Sequence, residues 1–240
     1  MKMTSSRPVF KRLFLILCII SGILILYPYH DFQPWLSTGD HGRDLYSFKK
    51  TLDGKLPYRD YWWVYGPLMP YYYSLCYFFF GINIKSVLLG AAFLNLLAGI
   101  IFYFTISFFV APSFAFIATL WFWTFQQNFF FTYNHIGGIV AYLGTIYCLF
   151  SYIKKPLRYY IYLGLVSIFI FALIKLNLGL ATLFAFVGSL CIIDFVNRDF
   201  SSGKIRFYAL SFSLFLFIVA AIYWRFLNGL PFYYIRLMRL

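Results

Sequence analysis

Residues 86–109 read SVLLGAAFLNLLAGIIFYFTISFF, without one Asp, Glu, Lys or Arg. A membrane-crossing helix needs roughly 20 consecutive, mostly apolar residues, and this run has that length. Hydrocarbon offers backbone N–H and C=O groups no outside partner, so the run must be helical. Working outward, comparable runs fall at 10–29, 113–128, 134–152, 157–174, 177–195 and 207–225. Alternation with frequent turns, the mark of a membrane barrel, is missing. The sequence therefore predicts an all-α polytopic bundle of about seven spans. It reads as a single membrane domain over 1–240: first span 1–29, outer loop with interfacial helices 30–85, further spans over 86–225, and the start of another outer segment at 226–240.

Composition agrees. The chain is 62% hydrophobic and 11% charged, against about 45–50% and about 25% in soluble domains. A small aqueous core has no room for that much apolar surface, so the lipid bilayer is the expected solvent. The net charge of +13 does not make a nucleic-acid protein, because the Lys and Arg residues are scattered between apolar runs and form no single basic face. Cys18, Cys148 and Cys191 lie inside apolar runs and Cys76 among aromatics, with no metal-binding spacing.

Orientation follows from the charges. Lys2, Arg7, Lys11 and Arg12 precede the apolar stretch Leu13–Leu26, which runs into Tyr27-Pro28-Tyr29 instead of small residues. That predicts an uncleaved first span with a cytoplasmic start. The 20 basic residues divide evenly between the two sides. The compact basic loops at 154–158 and 198–206 place the N-terminus inside and the loop after the first span outside.

That outer loop holds most of the acid. All 7 acidic residues are Asp, and Asp31, Asp40, Asp44, Asp53 and Asp60 fall within positions 31–60. From His41 to Leu52, Leu45, Phe48 and Leu52 recur at spacings of three and four among charged residues, predicting an amphipathic interfacial helix. Asp53-Gly54 ends it in a turn. Tyr61-Trp62-Trp63-Val64-Tyr65 reads as an aromatic belt at headgroup depth. Pro67 opens a short run, Leu68–Phe80, ended by Gly81, that is too short to span and reads as a second interfacial or re-entrant helix.

Each polar residue here has a plain reading and a chemical one. Asp40 is either an N-cap for the amphipathic helix or a general base and carboxylate clamp, with Gly39 and Gly42 letting a large substrate approach. Asp44 lies one turn on. It is read first as a solvated partner of Arg43, Lys49 or Lys50; with Asp40 it would hold a divalent metal or raise one pKa. His41 is a surface histidine or a proton relay. Asp60 is an ion pair with Arg59. Lys175 interrupts Phe171-Ala172-Leu173-Ile174-Lys175-Leu176-Asn177-Leu178-Gly179, where an ionisable residue is costly; it snorkels to the headgroups or receives a phosphate. Lys85 has the same two readings. Asn134-His135 opens a span as a polar cap or a pocket wall. Motifs for nucleotide cradling, dinucleotide binding, zinc hydrolysis and the serine elbow are missing from the sequence. Nor does it show the paired repeats usual in secondary transporters.

As an ordered set, Gly39-Asp40-His41-Gly42, then Leu52-Asp53-Gly54-Lys55-Leu56-Pro57-Tyr58-Arg59-Asp60-Tyr61, then Gly66-Pro67-Leu68 and Phe80-Gly81, resembles the polytopic glycosyltransferases of the GT-C fold. The likeness is to bacterial relatives of dolichyl-phosphate-mannose–protein mannosyltransferases and of aminoarabinose transferases. The resemblance implies an enzyme of the bacterial cytoplasmic membrane. It would transfer a sugar, with inversion, from a polyprenyl-phosphate donor to a glycan, lipid or protein acceptor at the outer face. Asp40 stands at the family's catalytic aspartate, with Asp44, His41 and Asn134 as helpers; Lys175 and Lys85 stand where family residues bind the donor phosphate. No cofactor is implied with certainty, a divalent metal being optional. His41 replaces an acidic neighbour common in the family, and Asn134 a second acidic residue. The resemblance covers nearly all 240 residues, which correspond to the N-terminal, catalytic-loop portion of such enzymes. The alternative is a non-catalytic membrane protein of lipid-linked glycan handling.

Overall fold

A computed structural model describes residues 8–26, 40–126, 133–198 and 201–227. Expectations for Asp31, Gly39, the Tyr27–Tyr29 segment and the stretch after Leu227 lie outside the described residues, as does the side chain of Asp40. The elements are α1 (Pro8–Leu26), α2 (Asp40–Leu52), α3 (Leu68–Phe80), α4 (Ile84–Ile106), α5 (Pro112–Gln126), α6 (Tyr133–Lys154), α7 (Arg158–Ile174), α8 (Leu176–Val196) and α9 (Ser202–Leu227). This is an all-α, multi-spanning membrane protein. Among the described residues, 4 helices are long and apolar enough to cross a bilayer: α4, α6, α8 and α9. α7 and the Arg12–Leu26 part of α1 are shorter apolar helices.

Local signals set the helix ends. The Asn83 side chain caps α4 by accepting from Ser86 N–H at 2.9 Å. Gly81, at φ 86, ends α3 in a conformation that disfavours a side chain. α3 has 13 residues, about 20 Å of helix against a hydrocarbon core of about 30 Å.

Contacts set the helix directions along a common axis. Phe14 meets Phe116 at 5.8 Å between ring centroids, and Gly22 lies against Trp123, so α1 and α5 run parallel. Phe104 meets Tyr147 and Phe109 meets Phe150, bringing the C-terminal ends of α4 and α6 together. The starts of α4 and α6 share a cluster with Phe48, Trp63, Tyr73 and Ile174. The α7–α8 junction and residues 40–66 therefore occupy one end of the bundle, and the 155–157 connection, the end of α8 and the start of α9 the other. Large apolar side chains such as Phe79, Trp121, Phe195 and Phe217 stand outward, as expected where lipid replaces water as the surrounding solvent.

Candidate functional site

The site-bearing end is organised by α2, and it faces inward by a different stripe from the one its apolar pattern predicts. His41, Asp44, Ser47, Phe48 and Thr51 are buried, whereas Leu45 and Leu52 are only half-buried. Polar groups dominate this buried stripe because each finds a partner. Ser47 Oγ donates to Arg43 O at 2.7 Å, Thr51 Oγ1 to Ser47 O at 2.9 Å, and Thr51 and Tyr61 hydroxyls meet at 2.6 Å. Phe48 supplies the apolar anchor, stacked on Tyr73 at 4.6 Å. α2 thus packs against α3 and the start of α6 through a buried polar face.

Asp44 keeps the expected pairing with Arg43 but not the expected exposure. It is 1% exposed, not solvated. Arg43 donates to its Oδ1 from Nε at 3.0 Å and from Nη2 at 2.8 Å, and Asn134 Nδ2 donates to Oδ2 at 3.3 Å. Charge-assisted hydrogen bonds of this kind compensate an ion that burial would otherwise penalise heavily. His41 is likewise no surface histidine: it is buried, its ring 5.2 Å from that of Tyr133. The backbone of Asp40 opens α2.

The aromatic run after α2 splits in two. Trp62 is exposed, in keeping with a belt residue, but Trp63 is buried and donates Nε1–H to Gly66 O at 2.9 Å. The Arg43 guanidinium lies 5.8 Å from the Trp62 and Trp63 rings and 5.5 Å from that of Tyr65, within cation–π range. Tyr58, at φ 67, is a strained non-glycine residue; its hydroxyl donates to the Tyr65 carbonyl. Asp60 accepts from Arg59 and from the Leu56 N–H, and those two contacts, the Arg59 one foremost, hold its carboxyl down at about 2.

Lys175 is the single residue between α7 and α8, in extended conformation at φ −144. Its Nζ lies 2.6 Å from His135 Nε2 and 5.3 Å from the Tyr65 ring centroid. With the ammonium charged, Lys175 donates and His135 accepts, which leaves the imidazole proton on Nδ1. Burial pulls the Lys175 pKa below its ordinary value. Gly66 docks the loop beside it, donating N–H to Ile174 O at 2.8 Å. A Cβ at Gly66 would sit 2.1 Å from Leu173 O, so only glycine fits this approach.

Tyr65 thus has both Arg43 and Lys175 within cation–π range, and Asn134 and His135, adjacent in sequence, hold Asp44 and Lys175 respectively. Beside Lys175 opens a cavity of about 810 Å³, lined by Trp62, Val64, Tyr65, Leu176, Leu180 and Tyr223 among others. Its wall is mainly apolar, with the Lys175 head as its cation. Asp44, His41 and Asn134 come together in one buried cluster. Lys85 is exposed in the first turn of α4 and is not among the residues lining the cavity. Among the described residues no three His, Cys, Asp or Glu side chains are grouped to hold a metal. Local sequence assigned no role to Arg43 against the aromatics or to His135 against Lys175; an ionisable pair 40 positions apart leaves no periodic trace. The chain matches no protein-family profile, no curated protein and no solved structure.

Proposed function

We propose that this chain is a membrane glycosyltransferase module that takes its sugar from a polyprenyl-phosphate donor and hands it to an acceptor hydroxyl at the end of the bundle bearing residues 40–66. The observation that carries the reading is the largely apolar cavity of about 810 Å³ with Lys175 on its wall. A long isoprenoid suits the apolar lining, and a phosphate suits an ammonium held by His135 and stacked on Tyr65. Asp40, at the opening of α2, would take the proton of the acceptor hydroxyl as it attacks the anomeric carbon. The C–O bond to the donor phosphate breaks as the new glycosidic bond forms, so one displacement inverts the configuration. Lys175 stabilises the departing phosphate. In this reading α1, α5 and α7 cross the membrane with the four longer helices, and the N-terminus is cytoplasmic.

The test uses the full chain in nanodiscs with a short-chain polyprenyl phosphate bearing a radiolabelled hexose. Transfer to a membrane-extract acceptor is expected for the wild type and lost in Asp40→Asn, with insertion and donor binding unchanged; full transfer by Asp40→Asn overturns the catalytic assignment. A second reading, donor binding without transfer, is favoured by one observation: Asp44, the buried carboxylate nearest Asp40 along α2, is already engaged by Arg43 and Asn134. Wild-type chain that binds the donor, in the presence of acceptor, yet never turns it over would establish that reading.

A further inference from the structure

At the far end of the bundle, a second cavity of about 300 Å³ lies between the end of α6, the start of α7 and the start of α9, lined by Tyr152, Arg158, Ser201, Gly203, Lys204 and Tyr208 among others. Beneath it Asp194, 2% exposed, accepts from Lys204 Nζ at 2.8 Å and from the Tyr208 hydroxyl at 2.7 Å. Lys204 is thereby fixed in place against the cavity. Arg158 is exposed and makes no ion pair among the described residues. Ser201 Oγ accepts from Lys204 N–H at 3.4 Å, which leaves its hydroxyl proton available to an anion. Gly203 faces open space, a Cβ there meeting only Ser201 Oγ at 3.9 Å.

The surroundings point to an amphiphile. In sequence, segments 154–158 and 198–206 carry Lys154, Lys155, Arg158, Arg198, Lys204 and Arg206 against Asp199, with Asp194 four residues before the second. Along the helices leading away from the cavity, Val166 on α7 and Leu210 and Leu214 on α9 are exposed and apolar. A ligand with its head at Arg158 would lay hydrocarbon on that surface. We propose that this cavity binds the phosphate of an anionic membrane lipid, with Arg158 as its main cation, Lys204 behind it and the Ser201 hydroxyl as a donor. Basic recesses between membrane helices are suited to such headgroups. This site shares no residue with the Lys175 cavity, and its test is independent of the glycosyltransferase reading.

The experiment is native mass spectrometry of the full chain released from nanodiscs of phosphatidylcholine with phosphatidylglycerol. The wild type is expected to retain phosphatidylglycerol selectively. Arg158→Gln removes the charge, and Gly203→Leu fills the cavity while leaving every charge in place. Each should lower retention about five-fold without altering polyprenyl-phosphate binding at the other end. Equal retention of phosphatidylcholine overturns the proposal, as does unchanged retention in both variants. Millimolar inorganic phosphate bound in place of lipid, in lipid-replete nanodiscs, would assign the cavity to a free anion and overturn the lipid as its ligand.

Discussion

The Asn134 side-chain amide donates to Asp44 Oδ2 at 3.3 Å, joining residues 90 positions apart. One carboxylate oxygen is taken by Arg43 and the other by Asn134, so α6 pins the acidic face of α2 inward. The neighbouring residue, His135, meets Lys175. The first turn of α6 therefore sets the position of both charged groups.

Asn134→Leu should destabilise the chain by about 1.5–3 kcal/mol, the range for a hydrogen bond to a charged group. Thermal unfolding of purified protein in detergent measures the loss. Combined with Asp44→Asn, the second substitution should cost much less than it does alone, because the two side chains share one interaction. Strict additivity would show that they do not.

Gly66→Ala should cost about 1–3 kcal/mol through overpacking, since its Cβ would strike the Leu173 carbonyl. Detachment of this loop also frees Tyr65 from Lys175. The expected result is a lower unfolding midpoint together with weaker polyprenyl-phosphate binding; an unchanged midpoint would mean the loop has another seat.

Lys175→Met should weaken polyprenyl-phosphate binding by about ten-fold or more, a charge-assisted contact being worth about 1.5–3 kcal/mol. Lys175→Arg should restore part of it. The pH profile carries the sign. Burial disfavours the ammonium, so its pKa lies below the ordinary lysine value. Affinity is full below that depressed pKa and falls as pH rises through it, before an exposed lysine would titrate. Titration of binding against pH, with the Lys175→Met profile flat over the same window, checks this.

The turn closed by Asp60 should outlast mild acid. Its folded pKa is about 2, below an ordinary carboxyl, so its contribution is present above the unfolded value and lost only as pH falls through about 2. Hydrogen exchange at the Leu56 amide, which donates to Asp60 Oδ2 at 2.8 Å, should stay slow relative to Asp60→Asn at pH 4. Equal exchange in both would remove Asp60 from the turn.

Sequence alone determined the elements of this protein. A charge-free run such as 86–109 has one way to satisfy its backbone in lipid, and Pro67 and Gly81 mark ends that depend only on neighbouring residues. The cost of placing Lys175 between apolar segments was legible for the same reason. Which face of α2 turns inward was not. Leu45, Phe48 and Leu52 suggested an apolar stripe, yet His41, Asp44, Ser47 and Thr51 are buried with Phe48, because Tyr133 and Asn134 arrive from a distant helix, and Tyr61 from the following loop, to meet them. Burial of a polar group is favourable only when a partner is present, and the partners of Asp44 and Lys175 are supplied by helix packing. Tertiary structure alone decided that Asn134 and His135, Trp63 and Gly66 would bring Arg43, paired with Asp44, and the half-buried Lys175 to the same Tyr65 ring.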